Sequence, residues 1–132
     1  MKSITSLVCA LTLGATLVGA ATIAQAADAG AGKAFYEKTY AGNKYATSSG
    51  LSQVGCISCH GSNLSKQGSH VKTGKIIGPM AASSGYADDR GVKRYSSDAK
   101  MAKWFKRNCN GVLGRECNAT EKANFLAFVK SQ

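Results

Sequence analysis

The sequence predicts a small all-α domain, and three observations lead there. Apolar residues recur at helical spacing near residues 35, 104 and 125, and helix-capping residues precede these runs. No stretch alternates with the period of two that a half-buried strand shows. A middle third dense in glycine offers loops rather than further elements.

The elements follow in chain order. Residues 4–23 are apolar, uncharged and preceded by Lys2, and Ala24-Gln25-Ala26 supplies a small-x-small cleavage pattern. Residues 1–26 are therefore expected to be a cleaved signal peptide, leaving a domain over 27–132. A membrane anchor is the competing reading; the Thr and Gly content and the lack of a basic flank argue against it. Residues 28–40 predict a first helix capped by Asp28, with Phe35, Tyr36 and Tyr40 along one edge. Residues 42–53 are polar and small, so a loop is expected, and 56–60 form one helical turn. Residues 61–95 are irregular. A helix over about 98–108, capped by Ser97 or Asp98, places Met101, Trp104, Phe105 and Asn108 on one face, opposite Lys100, Lys103, Lys106 and Arg107. Asn118 with Glu121 makes a capping-box pair that opens a last helix, whose stripe is Ala123, Phe125, Leu126, Phe128 and Val129.

The charge speaks to partners rather than to fold. Residues 27–132 keep 16 of the 17 basic residues and all seven acidic ones, a net of +9. After an export signal, an acidic protein is a better partner than nucleic acid. The expected product is a periplasmic monomer with no membrane association after cleavage. Cys9 leaves with the signal. Of the four remaining cysteines, Cys109 and Cys117 are expected to form a disulfide in an oxidising compartment.

Cys56-Ile57-Ser58-Cys59-His60 is the C-x-x-C-H signature of covalent haem attachment. Thiols at i and i+3 lie on one side of a helical turn and add across two vinyl groups, and the adjoining imidazole then points at the iron. A zinc site would need four ligands, and a redox dithiol a βαβ setting; neither pattern is present. A ligating histidine also needs an acceptor for its second ring nitrogen. The Pro79 carbonyl is one candidate, and a plain chain turn at Gly78-Pro79 is the alternative.

The second axial position has four candidates. His70 sits in a Gly/Lys-rich stretch and reads more simply as a surface residue. Met80 is the thioether of a conventional electron carrier, yet it adjoins the residue expected to orient His60. Met101 lies on an apolar stripe, where Met is usually filler. Asn108 ends the same stripe beside Cys109, where a helix C-cap is its ordinary role.

A resemblance separates these candidates. Arg107-Asn108-Cys109-Asn110-Gly111-Val112-Leu113-Gly114-Arg115-Glu116-Cys117 resembles the signature of the sphaeroides haem protein family. Thr73-Gly74-Lys75, Ile77, Pro79, Trp104 and Glu121-Lys122-Ala123 match that family in order and spacing. Gly32 and Tyr36 fit its first helix and that of small class I cytochromes c. The resemblance implies the class I cytochrome c-like fold, with helices wrapped around one covalent haem c. It further implies Pro79 and Trp104 at the cofactor and Asn108 as an axial ligand through its amide oxygen. In a relative, the bis-histidine cytochrome c double-prime, histidine stands there. Relatives also carry an ordinary apolar residue where this chain has Met80, which is the departure to note.

An amide oxygen is a hard, weak donor that suits ferric iron better than ferrous. Reduction is therefore expected to loosen Asn108 and open a position for oxygen, nitric oxide or carbon monoxide. The resemblance implies a di-haem or other cytochrome c as electron donor. The alternatives are a His60/Met80 carrier, or an enzyme reducing oxygen or nitrogen oxides. The enzyme would need distal acid–base groups, which the sequence does not visibly place; Arg107 falls off the Asn108 stripe by helical angle.

Overall fold

A computed structural model describes residues 26–132, so the expected signal segment lies, but for Ala26, outside the described residues. The frame is a crossing of the first and last helices. Helix α1 (Ala29–Glu37) is capped by Asp28, whose Oδ1 accepts from the Gly30 and Ala31 amides at 2.7 and 3.2 Å. Helix α5 (Ala119–Lys130) opens on the expected box: the Glu121 amide donates to Asn118 Oδ1, and the Asn118 amide to Glu121 Oε2, both at 2.8 Å. Gly32 permits the crossing. A Cβ there would stand 2.0 Å from the Asn124 carbonyl oxygen. The Asp28 amide donates across the same junction to Asn124 Oδ1 at 2.8 Å.

The core forms on this crossing. Tyr36, Phe125, Phe128 and Val129 are buried together with Leu64, Met80 and Ala81. Each large apolar side chain there contributes roughly 1.5–3 kcal/mol by leaving water. Tyr36 has a second duty. Its hydroxyl donates to the Gly61 carbonyl at 2.6 Å, tying α1 to the end of the C-x-x-C-H turn. Burial raises its pKa far above the ordinary phenol, the nearby Cys56 thiol adding to the effect, so it stays a neutral donor.

Three sequence expectations need correction. Residues 42–53 are not a loop: helix α2 (Lys44–Ser49) stands there, between strands β1 (Thr39–Ala41) and β2 (Gln53–Gly55), which pair antiparallel with Tyr40 opposite Val54. Asn43 organises this unit from a buried position. Its Oδ1 caps α2 at Ala46, and its Nδ2 donates to the Tyr40 and Val54 carbonyls at 2.8 Å. Strands also exist where none was expected, including β3 (Gly68–Ser69) against β4 (Ile76–Ile77). Ladders of two or three residues are too short to show alternation. Tyr40 accordingly belongs to β1, and α1 ends earlier than expected.

Helix α3 (Cys56–His60) is the predicted turn. Residues 61–95 are mostly irregular, as expected, with a 3-10 turn at Ala82–Ser84. Helix α4 (Asp98–Leu113) is capped by Ser97 and runs five residues past the expected end, stopping at Gly114 with φ 70°. Burial of Cys109, Gly111 and Val112 overrides the weak helix propensity of Asn108, Asn110 and Gly111. The fold is thus five α-helices among the described residues, joined by short ladders, and none of those helices is long and apolar enough to cross a membrane.

Candidate haem site

The C-x-x-C-H turn is held at both ends by close backbone approaches. The Gly55 amide donates to Ser58 Oγ at 3.0 Å and starts α3. A Cβ on Gly55 would lie 2.2 Å from the Lys38 carbonyl oxygen, and one on Gly68 would lie 2.1 Å from that of Cys59. Neither glycine can be enlarged without moving the turn.

Cys56, Cys59 and His60 line a cavity of about 660 Å³ that α4 also lines, through Met101, Trp104, Phe105 and Asn108. That volume suits a large flat cofactor. Both cysteines are free. Burial pushes the Cys56 thiol up to about 11, so it is protonated at neutral pH. A redox dithiol is built the other way, with a depressed thiol.

Burial, and secondarily the Arg94 guanidinium, lower His60 to about 4. The imidazole is therefore neutral, the form that ligates metals. Its Nδ1 is buried with no hydrogen-bond partner. Of the two readings of Gly78-Pro79, the His60 bond to the Pro79 carbonyl is not formed here, and Pro79 does not line the cavity although Gly78 and Met80 do. Two unpaired thiols, a neutral imidazole and an apolar slot against α4 together fit covalent haem.

Asn108 faces this cavity from within α4 rather than from its end, so the C-cap role belongs to Gly114 instead. Cys109 and Cys117 are bonded, with Cα atoms 5.5 Å apart. Met80 is 7% exposed, in the core. Its amide donates to the Leu64 carbonyl, its carbonyl accepts from Tyr95 Oη at 2.6 Å, and its sulfur lies 3.5 Å from Arg94 Nη1. Tyr95 achieves this with φ 66°, the sole positive φ outside glycine among the described residues. Burial raises the Tyr95 hydroxyl to about 12.

Other residues reach the cavity that the sequence did not indicate. Arg94, Tyr45 and Tyr95 come from segments without a periodic signal. Arg107, expected to face away, stacks its guanidinium 5.3 Å over the Trp104 ring and lines the cavity. His70, Asp88 and Asp89 also line it. Asp88 is engaged by Lys100, and His70 Nδ1 accepts from the Lys72 and Thr73 amides at 3.2 and 3.4 Å.

Known proteins are similar to this chain in sequence and fold. A family model described as a domain of unknown function, DUF1924, matches residues 22–129. Cytochrome c-type protein SHP of Cereibacter sphaeroides is 38% identical over 106 residues, covering 80% of this chain and 72% of SHP. This chain belongs to DUF1924 and, with SHP, to one family of c-type cytochromes. Cytochrome c'' of Methylophilus methylotrophus is 34% identical over 101 residues, covering 76% of this chain and 62% of that protein. The solved structure of oxidized SHP, an oxygen-binding cytochrome c, has a TM-score of 0.64 at 36% identity, covering 80% of this chain and 83% of SHP. The oxidized cytochrome c'' structure scores 0.63 at 29% identity, covering 79% and 75%. The expected fold class is the observed one: a small cytochrome fold. Membership of this cytochrome family also accounts for the paired free thiols, since c-type cytochromes hold haem covalently.

Proposed function

We propose that this protein is a periplasmic, monomeric, single-haem cytochrome whose axial Asn108 lets go on reduction and leaves a place for a diatomic. The carrying observation is that Asn108 and His60 line one cavity, while Met80, the conventional ligand, borders it as a 7% exposed core residue whose carbonyl and sulfur are engaged by Tyr95 and Arg94. Haem c supplies a one-electron couple and an iron able to hold oxygen, nitric oxide or carbon monoxide.

The protein's own residues set the terms. Cys56 and Cys59 anchor the cofactor, and His60 offers a neutral nitrogen from the same turn. Trp104 and Phe105 line the cavity on the α4 side and would flank the cofactor there. Asn108 offers a neutral amide oxygen, a donor for the ferric state that is weak toward the ferrous one. Its preference for the ferric state lowers the reduction potential relative to a His/Met site. Electrons come from an acidic donor, for which a di-haem cytochrome is the class implied. Residues 1–26 serve as the export signal.

The His60/Met80 reading requires breaking the Tyr95 and Arg94 contacts of Met80 and drawing it out of the core. A reductase role has groups at the cavity, but Asp88 and His70 are already occupied by Lys100 and by backbone amides.

Absorption spectra of the protein oxidised, reduced, and reduced under carbon monoxide test the proposal. The expected result is a largely high-spin reduced spectrum that shifts with carbon monoxide, and Asn108→His should weaken that response at least tenfold. A low-spin reduced spectrum indifferent to carbon monoxide would overturn it.

A further inference from the structure

Beside the haem cavity lies a second cleft, of about 520 Å³, walled by α2, the loop 70–73 and α4. Lys44, Lys72, Lys106 and Arg107 line it, with no carboxylate among the lining residues. It opens at the haem cavity, because Tyr45, His70, Thr73 and Arg107 line both. We infer that this cationic cleft is the docking site of an acidic redox-partner protein, seating the partner's carboxylates at the haem edge. The inference rests on the cytochrome reading above and adds where the electron enters.

The cleft is built rather than incidental. A Cβ on Gly111 would stand 2.3 Å from the Tyr45 ring, so this glycine lets α2 lie close against α4. The Tyr45 ring meets His70 edge to face with centroids 5.6 Å apart. His70 in turn gathers the Lys72 and Thr73 amides on Nδ1, which sets the loop carrying Lys72. Arg107 is held over Trp104 at 5.3 Å, which directs its charge to the boundary between the two spaces.

The chemistry favours a protein face over a small ion. A desolvated anion needs buried donors converging on one point. Here the cations stand on three separate elements, and Lys44, Lys72, Lys106 and Arg107 are all exposed. That spacing suits several carboxylates spread over a surface, with water between. Such complementarity mainly raises the association rate, and salt screens it. A haem-edge position shortens the electron's path without requiring a tight complex.

The test uses the haem-loaded protein and two reductants: reduced flavodoxin, an acidic protein, and reduced lumiflavin, an uncharged small molecule. Lys72→Glu with Lys106→Glu should slow reduction by flavodoxin about tenfold at low ionic strength. Lys66→Glu with Lys130→Glu changes net charge equally away from the cleft and should slow it less than about twofold. Lumiflavin should reduce all three proteins alike, with unchanged spectra and potentials. Equal slowing by both charge-reversal pairs would overturn the assignment in favour of net charge alone. A shifted spectrum or potential in the cleft variant without partner would also overturn it, making haem propionates the occupants. A wild-type protein inert to lumiflavin would overturn the cytochrome reading itself, and the cleft assignment with it.

Discussion

The two walls of the haem cavity are made in opposite ways. The His60 wall is five consecutive residues, closed by backbone approaches at Gly55 and Gly68 that leave no room for a side chain. The Asn108 wall is one face of a 16-residue helix, tied back by the Cys109–Cys117 bridge and by Tyr45 lying on Gly111. Local covalent geometry thus decides the chemistry of the first wall, and long-range packing decides only the placement of the second. Under the proposed Asn108 ligation, a different side chain at position 108 would alter the chemistry without disturbing the scaffold. On the function proposed above, the short-range wall fixes the cofactor and the long-range wall sets what the cofactor does.

The contrast can be broken or sharpened experimentally. The largest effect belongs to the first wall: Cys56→Ala with Cys59→Ala should abolish covalent haem entirely. Haem staining after denaturing electrophoresis reads this directly, and a stained band of normal intensity would refute the assignment. The second wall should respond by degrees. Cys109→Ser with Cys117→Ser opens a nine-residue loop and should cost about 2.6 kcal/mol in the chain-entropy account. A thermal melt measures that cost, and the oxidised spectrum should move toward weaker axial ligation as α4 loosens beside Asn108. An unaltered oxidised spectrum would separate the bridge from the ligand.

The smallest effect is at the start of α5. Arg115 donates from Nη1 and Nη2 to the Glu121 carboxylate at 2.8 and 2.6 Å, and this contact, helped by the Asn118 amide, holds the carboxyl below its ordinary 4.5. A depressed folded-state value stabilises the fold fully above the ordinary pKa, and the benefit fades as pH falls through the lower folded value. The pair is partly exposed, so Glu121→Gln should cost only about 0.5–1 kcal/mol at neutral pH. Melting temperatures of the two proteins should converge in acid; a constant gap across pH would assign the loss to the cap instead.

Legibility in the sequence divides along similar lines. Cys56 through His60, the Asp28 and Asn118 caps, and the Trp104–Phe105 stripe are local patterns, and each appears where expected. Helix α2 was hidden because its Ser and Thr residues read as loop, while its actual support is Asn43 bonding to strands on both sides. The far end of α4 was hidden because its weak helix formers are held by burial, which periodicity does not register. Arg107 sits off the Asn108 stripe by angle, yet its length carries the guanidinium round onto Trp104. Arg94 and Tyr95 belong to a segment with no period at all, and only the fold brings them to Met80.

The crossing of α1 and α5 at Gly32 bears on how the chain is assembled. Asp28 and Asn124 are 96 residues apart, so their contact closes a loop comprising nearly the whole domain. Closing so long a loop costs about 4 kcal/mol in length-dependent entropy, and contacts of this separation slow folding. Cys56 and Cys59 lie inside the loop, some distance from either end. While the ends are still apart, both thiols lie on an open chain, and the docking of α5 against α1 then closes the loop that contains them.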